Sequence, residues 1–102
     1  MSDADTFIDA CKNGRIDKIN QMLEDDASLI DSRADDKIPA IIHATCADMI
    51  DVVDLLIARG ADIEAKDTEY LATAVGFAAW FGRAEVAALL VERGADVDGL
   101  GE

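Results

Sequence analysis

The chain has 102 residues, with 22 Asp or Glu against 9 Lys or Arg and a formal charge of −13. That field repels phosphate backbones and anionic lipid, so neither nucleic acid nor a membrane surface is expected as a ligand. The 51% apolar and 30% charged residues fit a folded domain better than a disordered tail, and no stretch approaches the ~20 apolar residues of a membrane span.

Read in chain order, the sequence repeats itself. Ala10, Ala44 and Ala78 are spaced by 34, as are Asp17, Asp51 and Glu85, then Leu23, Ile57 and Val91, then Ala27, Ala61 and Ala95. Three units, about 3–36, 37–70 and 71–102, account for the whole chain as one domain without a linker. Each unit reads as helix, tight turn, helix and long loop, an all-α pattern. The first unit carries Ala10-Cys11-Lys12-Asn13-Gly14. Its second helix places Lys18, Asn20 and Gln21 where later units carry apolar residues, the pattern of an N-terminal cap.

In the middle unit Pro39 suits a first helical turn, and Asp48 stands where the inter-helix glycine is expected, a conformation Asp tolerates. Gly60 closes the second helix. About a dozen residues follow, Ala61 to Ala72, with no helical stripe and many turn formers. In the third unit Thr73 is placed to cap a helix running to about Phe81, and Gly82 ends it. The last helix spans about Ala84 to Arg93, with Val86, Leu89 and Leu90 as its buried stripe and Gly94 as its stop. This helix keeps Val86, Ala87, Leu90 and Val91 without polar replacement, so self-association through the C-terminal repeat, as a homodimer, is one expectation.

The segment Thr73-Ala74-Val75-Gly76-Phe77-Ala78-Ala79-Trp80-Phe81-Gly82 resembles the Thr-Pro-Leu-His-x-Ala-Ala-x-x-Gly segment of the ankyrin repeat family. Glu85 to Asp98, with Gly94-Ala95-Asp96, and Asp51 to Ile63, with Gly60-Ala61-Asp62, resemble that family's second helix and loop. The resemblance covers the entire chain and implies a solenoid of three helix-turn-helix-loop units. The unit is one residue longer than the family's usual one, which implies irregular hairpin tips. The histidine that usually ties the first helix to the loop is missing.

The resemblance also implies a function: a non-catalytic module that binds a protein through a concave surface of loop tips and first helices. Matched segment by segment, that surface should present Lys12 and Asn13 from the first unit and Asp35, Asp36, Ile38, Cys46 and Ala47 from the second. The third should present Glu69, Tyr70, Ala72, Trp80 and Phe81. Tyr70, Phe77, Trp80 and Phe81 gather most of the aromatic residues into one unit, and Trp and Tyr dominate interface hot spots. Trp80 and Phe81 either meet a partner or fill the groove between first helices; Phe77 is expected in the core. Asp35, Asp36 and Glu69 read as an acidic rim, which raises association rates with a basic protein or is simply solvated. A small acidic inhibitor of a basic protein is therefore a narrower version of the same idea.

No enzyme motif is present, and His43 stands alone as a packing or hydrogen-bonding residue. No cofactor is expected. The Asp96-Val97-Asp98-Gly99 segment lacks the ligand spacing of a calcium loop and reads as the ordinary repeat loop. Asp25 and Asp26 look like solvent charges. Cys11 and Cys46 form no C-x-x-C pair and read as reduced thiols filling apolar space in a cytoplasmic protein.

Overall fold

A computed structural model describes residues 2–96. Six helices of seven to ten residues follow one another: α1 (Asp3–Lys12), α2 (Ile16–Asp25), α3 (Ala40–Cys46), α4 (Ile50–Ala58), α5 (Ala74–Trp80) and α6 (Ala84–Glu92). A short 3-10 helix, Ala27–Asp31, occupies part of the first long connecting loop. The helix ends expected at Phe81 and Arg93 fall one residue earlier. The Asp96-Val97-Asp98-Gly99 loop lies outside the described residues from Val97 onward.

Local chemistry explains the helix starts. Ser2 and Asp5 form a reciprocal capping box, with the Ser2 hydroxyl accepting from the Asp5 amide at 3.2 Å and the Asp5 carboxylate accepting from the Ser2 amide at 3.4 Å. Pro39 sits at the N-cap of α3 and not in its first turn, its φ of −68° and ψ of 156° leading extended chain into the helix. Thr73 holds the corresponding N-cap of α5, but its side chain makes no capping bond. Asp26, expected to be a solvent charge, caps the 3-10 helix by accepting from the Ser28 amide at 3.1 Å and hydroxyl at 2.6 Å.

The 34-residue period survives in the backbone. Gly14, Asp48 and Gly82, at φ of 71°, 60° and 69°, turn the chain between the two helices of successive units. A left-handed residue is what lets the two helices fold back as a hairpin, and Asp is one of the few side chains that accept it.

Each second helix packs on its own first helix, α1, α3 and α5 lie side by side, and α4 packs on α6. None of these short helices could persist alone, so their stability comes from the shared apolar interior. That interior is continuous, running from Phe7, Cys11 and Ile19 through Ile42, Val52, Val53 and Leu56 to Val86 and Leu90, all of them buried. Polar clasps tie neighbouring units on the outer side. Arg59 donates to Asn20 at 2.7 Å, and Arg93, 34 residues on, lies 2.8 Å from Asp54. Asn20 therefore serves the next unit instead of only facing solvent as a cap residue.

Unit-by-unit comparison revises the expectation for the C-terminal face. Val86 and Leu90 are closed inside the stack, as expected of the buried stripe, and so are not offered outward, whereas Leu89 of that stripe is only partly buried. At the positions that do open, the third unit carries smaller side chains. Ala79 stands where Cys11 and Thr45 are buried, Ala87 replaces Ile19 and Val53, Ala84 replaces Ile16 and Ile50, and Val91 replaces Leu23 and Ile57. Val91, 44% exposed, is the large apolar side chain of α6 left open. The face is lean in apolar area rather than polar.

Candidate partner-binding surface

Two hairpin fingers rise from the loops that follow the second helices of the first and second units. In the first, Arg33 and Pro39 form an isolated antiparallel bridge, the Ala40 amide donates to the Ser32 carbonyl at 2.9 Å, and the Lys37 amide to the Ala34 carbonyl at 2.9 Å. In the second, the Asp67 amide donates to the Ala72 carbonyl at 3.2 Å. Lys37 and Leu71, again 34 apart, adopt φ of 65° and 55° at the tips. A turn ending in a left-handed residue is a common three-to-five-residue hairpin solution, and here non-glycine residues bear its strain.

What holds each finger differs. Asp67, at the position of Arg33, is buried, and its carboxylate accepts from the amides of Glu69 at 3.1 Å, Tyr70 at 2.7 Å and Ala72 at 3.0 Å. Burial pushes this carboxyl up, but the amides of Tyr70, Ala72 and Glu69 outweigh it, and the group stays below the usual carboxylate range. Arg33 ties the fingers together: its Nη1 donates to the carbonyls of Lys37 and Lys66, each at 2.7 Å.

Each finger also leans on the first helix that follows it. Asp36 on the first finger lies 3.2 Å from His43 Nε2 on α3, so His43 does have a carboxylate partner. Asp36 also accepts from the Ile38 amide at 2.9 Å. One repeat further on, Tyr70 on the second finger and Phe77 on α5 hold the same two positions, and their rings meet edge to face with centroids 6.3 Å apart. One clasp is polar and the next aromatic.

The aromatic clasp extends into a cluster. Trp80 meets Tyr70 at 5.9 Å and Phe77 at 5.2 Å, both edge to face, while Phe81 stacks on Phe77 at 6.3 Å. Phe77 is buried as expected and acts as the floor. Trp80 and Phe81, three and four residues further on, both reach it because those spacings share a helix face. Tyr70 is 58% exposed, Leu71 65%, Trp80 49% and Phe81 55%. Leu71 escaped the sequence reading, since a left-handed leucine at a hairpin tip has no apolar periodicity to mark it.

Between α1, the first finger and α3 lies an open groove of about 290 Å³ lined by Asp5, Ile8, Asp9, Lys12, Ala34, Asp35, Asp36 and His43. The structure thus brings Lys12, Asp35 and Asp36 to one groove, and Tyr70, Trp80 and Phe81 to one patch, with Glu69 exposed at the second finger. Asn13 is exposed and donates to the Asp9 carbonyl at 2.8 Å. Ile38, Cys46 and Ala47 are only partly accessible. Ala72 is 0% exposed and leaves the set: it packs into the core at the base of the finger, where its amide is held by Asp67.

Both thiols are free. Burial pushes the Cys11 thiol up to about 12. Burial also raises the Cys46 thiol, partly offset by the nearby Arg83 guanidinium, which donates to the Cys46 carbonyl at 3.0 and 3.3 Å. Neither is a thiolate nucleophile at neutral pH. Among the described residues no group of three or more His, Cys, Asp or Glu could hold a metal ion, and no helix is long and apolar enough to cross a membrane.

Stacked helical hairpins with projecting fingers define a repeat protein of the solenoid class. A family model for ankyrin repeats, in 3 copies, matches residues 7–99, and the chain belongs to the ankyrin repeat family. Ankyrin repeats are generally protein-protein interaction modules and typically not enzymes. No curated protein matches the chain closely enough to count as a relative.

Proposed function

We propose that this chain, one domain of repeats at about 3–36, 37–70 and 71–102, binds a protein partner along the side formed by the two fingers and α1, α3 and α5. The observation that carries this reading is the patch of Tyr70, Leu71, Trp80 and Phe81. Four large exposed apolar side chains, on a surface otherwise rich in charge, are costly to leave in water and mark interaction sites. Tyr70 and Trp80 are also rigid and amphipathic, the properties that make interface anchors. The free thiols fit a reducing compartment such as the cytoplasm.

The test is capture of a binding protein by the wild-type chain and by Trp80→Ala, with circular dichroism confirming that the variant folds. Loss of a captured partner by at least about tenfold is expected for an anchor. An unchanged set of captured proteins refutes the role. The second reading, self-association through α6, is supported by the exposed Val91 and checked by the molar mass from light scattering across a concentration series. A constant monomer mass up to high concentration rejects it.

A further inference from the structure

The aromatic patch and the acidic groove lie on the same side of the stack, separated by α3. The patch belongs to α5 and the second finger, whereas the groove belongs to α1, the first finger and α3. The groove carries four carboxylates, Asp5, Asp9, Asp35 and Asp36, against the single ammonium of Lys12 and the imidazole of His43. Arg33 and Lys37 of the first finger keep their positive charges but do not line the groove: Arg33 donates to two backbone carbonyls, and Lys37 stands at the tip. An apolar anchor point therefore sits at one end of the surface and a groove with more carboxylates than cations in its lining at the other.

Resting on the protein-binding reading above, we infer that the occupant is an extended segment of a partner protein with a built-in polarity. An apolar side chain seats on Tyr70, Leu71 and Trp80, and lysine or arginine residues to one side of it run toward the groove. Neighbouring helices pack 8–10 Å apart, so one repeat away from α5 is about 9 Å and two are about 18 Å. An extended chain advances ~3.3 Å per residue, which places the basic residues about three and about six positions from the anchor. The exposed faces of Tyr70 and Trp80 also accept a guanidinium or ammonium beside the anchor. The overall charge of −13 favours the encounter with such a segment and disfavours acidic competitors.

The experiment is selection of a displayed library of random peptides about twelve residues long, enough at ~3.3 Å per residue to cross the 36 Å long axis, against the full chain. One selected peptide is then titrated against the wild type, Trp80→Ala, Tyr70→Ser and the double variant Asp9→Asn, Asp35→Asn. Tyr70→Ser covers the case in which Trp80→Ala disturbs the fold. The expected peptides carry an apolar anchor with Lys or Arg about three and six positions to one side. Trp80→Ala or Tyr70→Ser weakens binding at least about tenfold. The acid-neutralising pair weakens it about threefold to tenfold at low salt and little at high salt, because the Debye length shrinks from ~30 Å at 0.01 M to ~3 Å at 1 M. Peptides that need Trp80 but show no basic bias, or ignore the Asp9 and Asp35 changes, overturn the polarity and leave the anchor standing. Binding indifferent to both Trp80 and Tyr70, or no enrichment at all, overturns the anchor and the polarity together.

Discussion

Replacing Asp67 by Ala removes the acceptor of three backbone amides in the second finger, those of Glu69, Tyr70 and Ala72. Glu69 and Tyr70 are exposed, so water can take over their amides at a loss of about 0.5 kcal/mol each. Ala72 is buried, and its amide, left without an acceptor, costs about 1–3 kcal/mol. The sum is about 2–4 kcal/mol, and at ~4–8 °C per kcal/mol for a domain of this size the midpoint should fall by roughly 8–32 °C. Asp67→Asn keeps one oxygen for Ala72 but turns an amide group toward Glu69 and Tyr70, so it should fall between. Thermal and urea unfolding followed by far-ultraviolet circular dichroism gives the magnitude. Trp80 emission reports the finger, because Tyr70 lies 5.9 Å from that ring. The same bonds set a pH dependence. Since the folded carboxyl titrates below its unfolded value of about 3.9, its contribution is present above pH 4 and lost as acid carries the pH through the folded value. A stability of Asp67→Ala within about 0.5 kcal/mol of wild type, or an acid limb as steep in that variant as in the wild type, would refute this account of the finger.

Asp48→Gly should stabilise the chain by about 0.5–1 kcal/mol, because Asp48 holds a φ of 60° that glycine adopts without strain at the matching Gly14 and Gly82; urea midpoints test the sign. Leu71→Gly should likewise relieve strain at φ 55° with little packing lost, yet weaken partner capture if the patch is the binding site, so stability and binding move in opposite directions. Cys11 should resist a thiol reagent in the native protein at pH 8 and react only on unfolding, with Cys46 reacting first. Since the folded Cys11 pKa lies above its unfolded value, stability should decline as pH rises from about 9 toward 12 in wild type and less so in Cys11→Ala. Arg33→Ala cuts the tie between the fingers; discounted for exposure, the loss is about 1 kcal/mol, and faster hydrogen exchange at the amides of Ala34 and Lys37 should accompany it.

The repeat itself was fully legible. A 34-residue period in apolar and glycine positions names the unit, and the same period reappears in φ at Gly14, Asp48 and Gly82. Clustering of the aromatic residues was legible too, because Phe77, Trp80 and Phe81 lie within one helical turn of each other. Val86 and Leu90 are buried as their helical stripe predicts, whereas Ala72, placed outward by alignment to neighbouring units, is buried as well, because burial at a repeat position depends on what the adjacent unit contributes. Leu71 was overlooked because its exposure follows from a left-handed tip and not from any pattern of side chains.

From the amino-acid order alone came the helical hairpins and their turns, which depend on residues close in the chain, and the three-unit count and acidic charge, which are read directly from the residues and their period. Tertiary structure decided which side chains face solvent, that Asp36 and His43 occupy the places that Tyr70 and Phe77 fill one unit later, and that a buried Asp67 holds a finger upright. These are relations across 34 residues or across a folded tip. Their free energy appears only when units stack, and no local spacing records how the stack closes over one residue and leaves its counterpart in water.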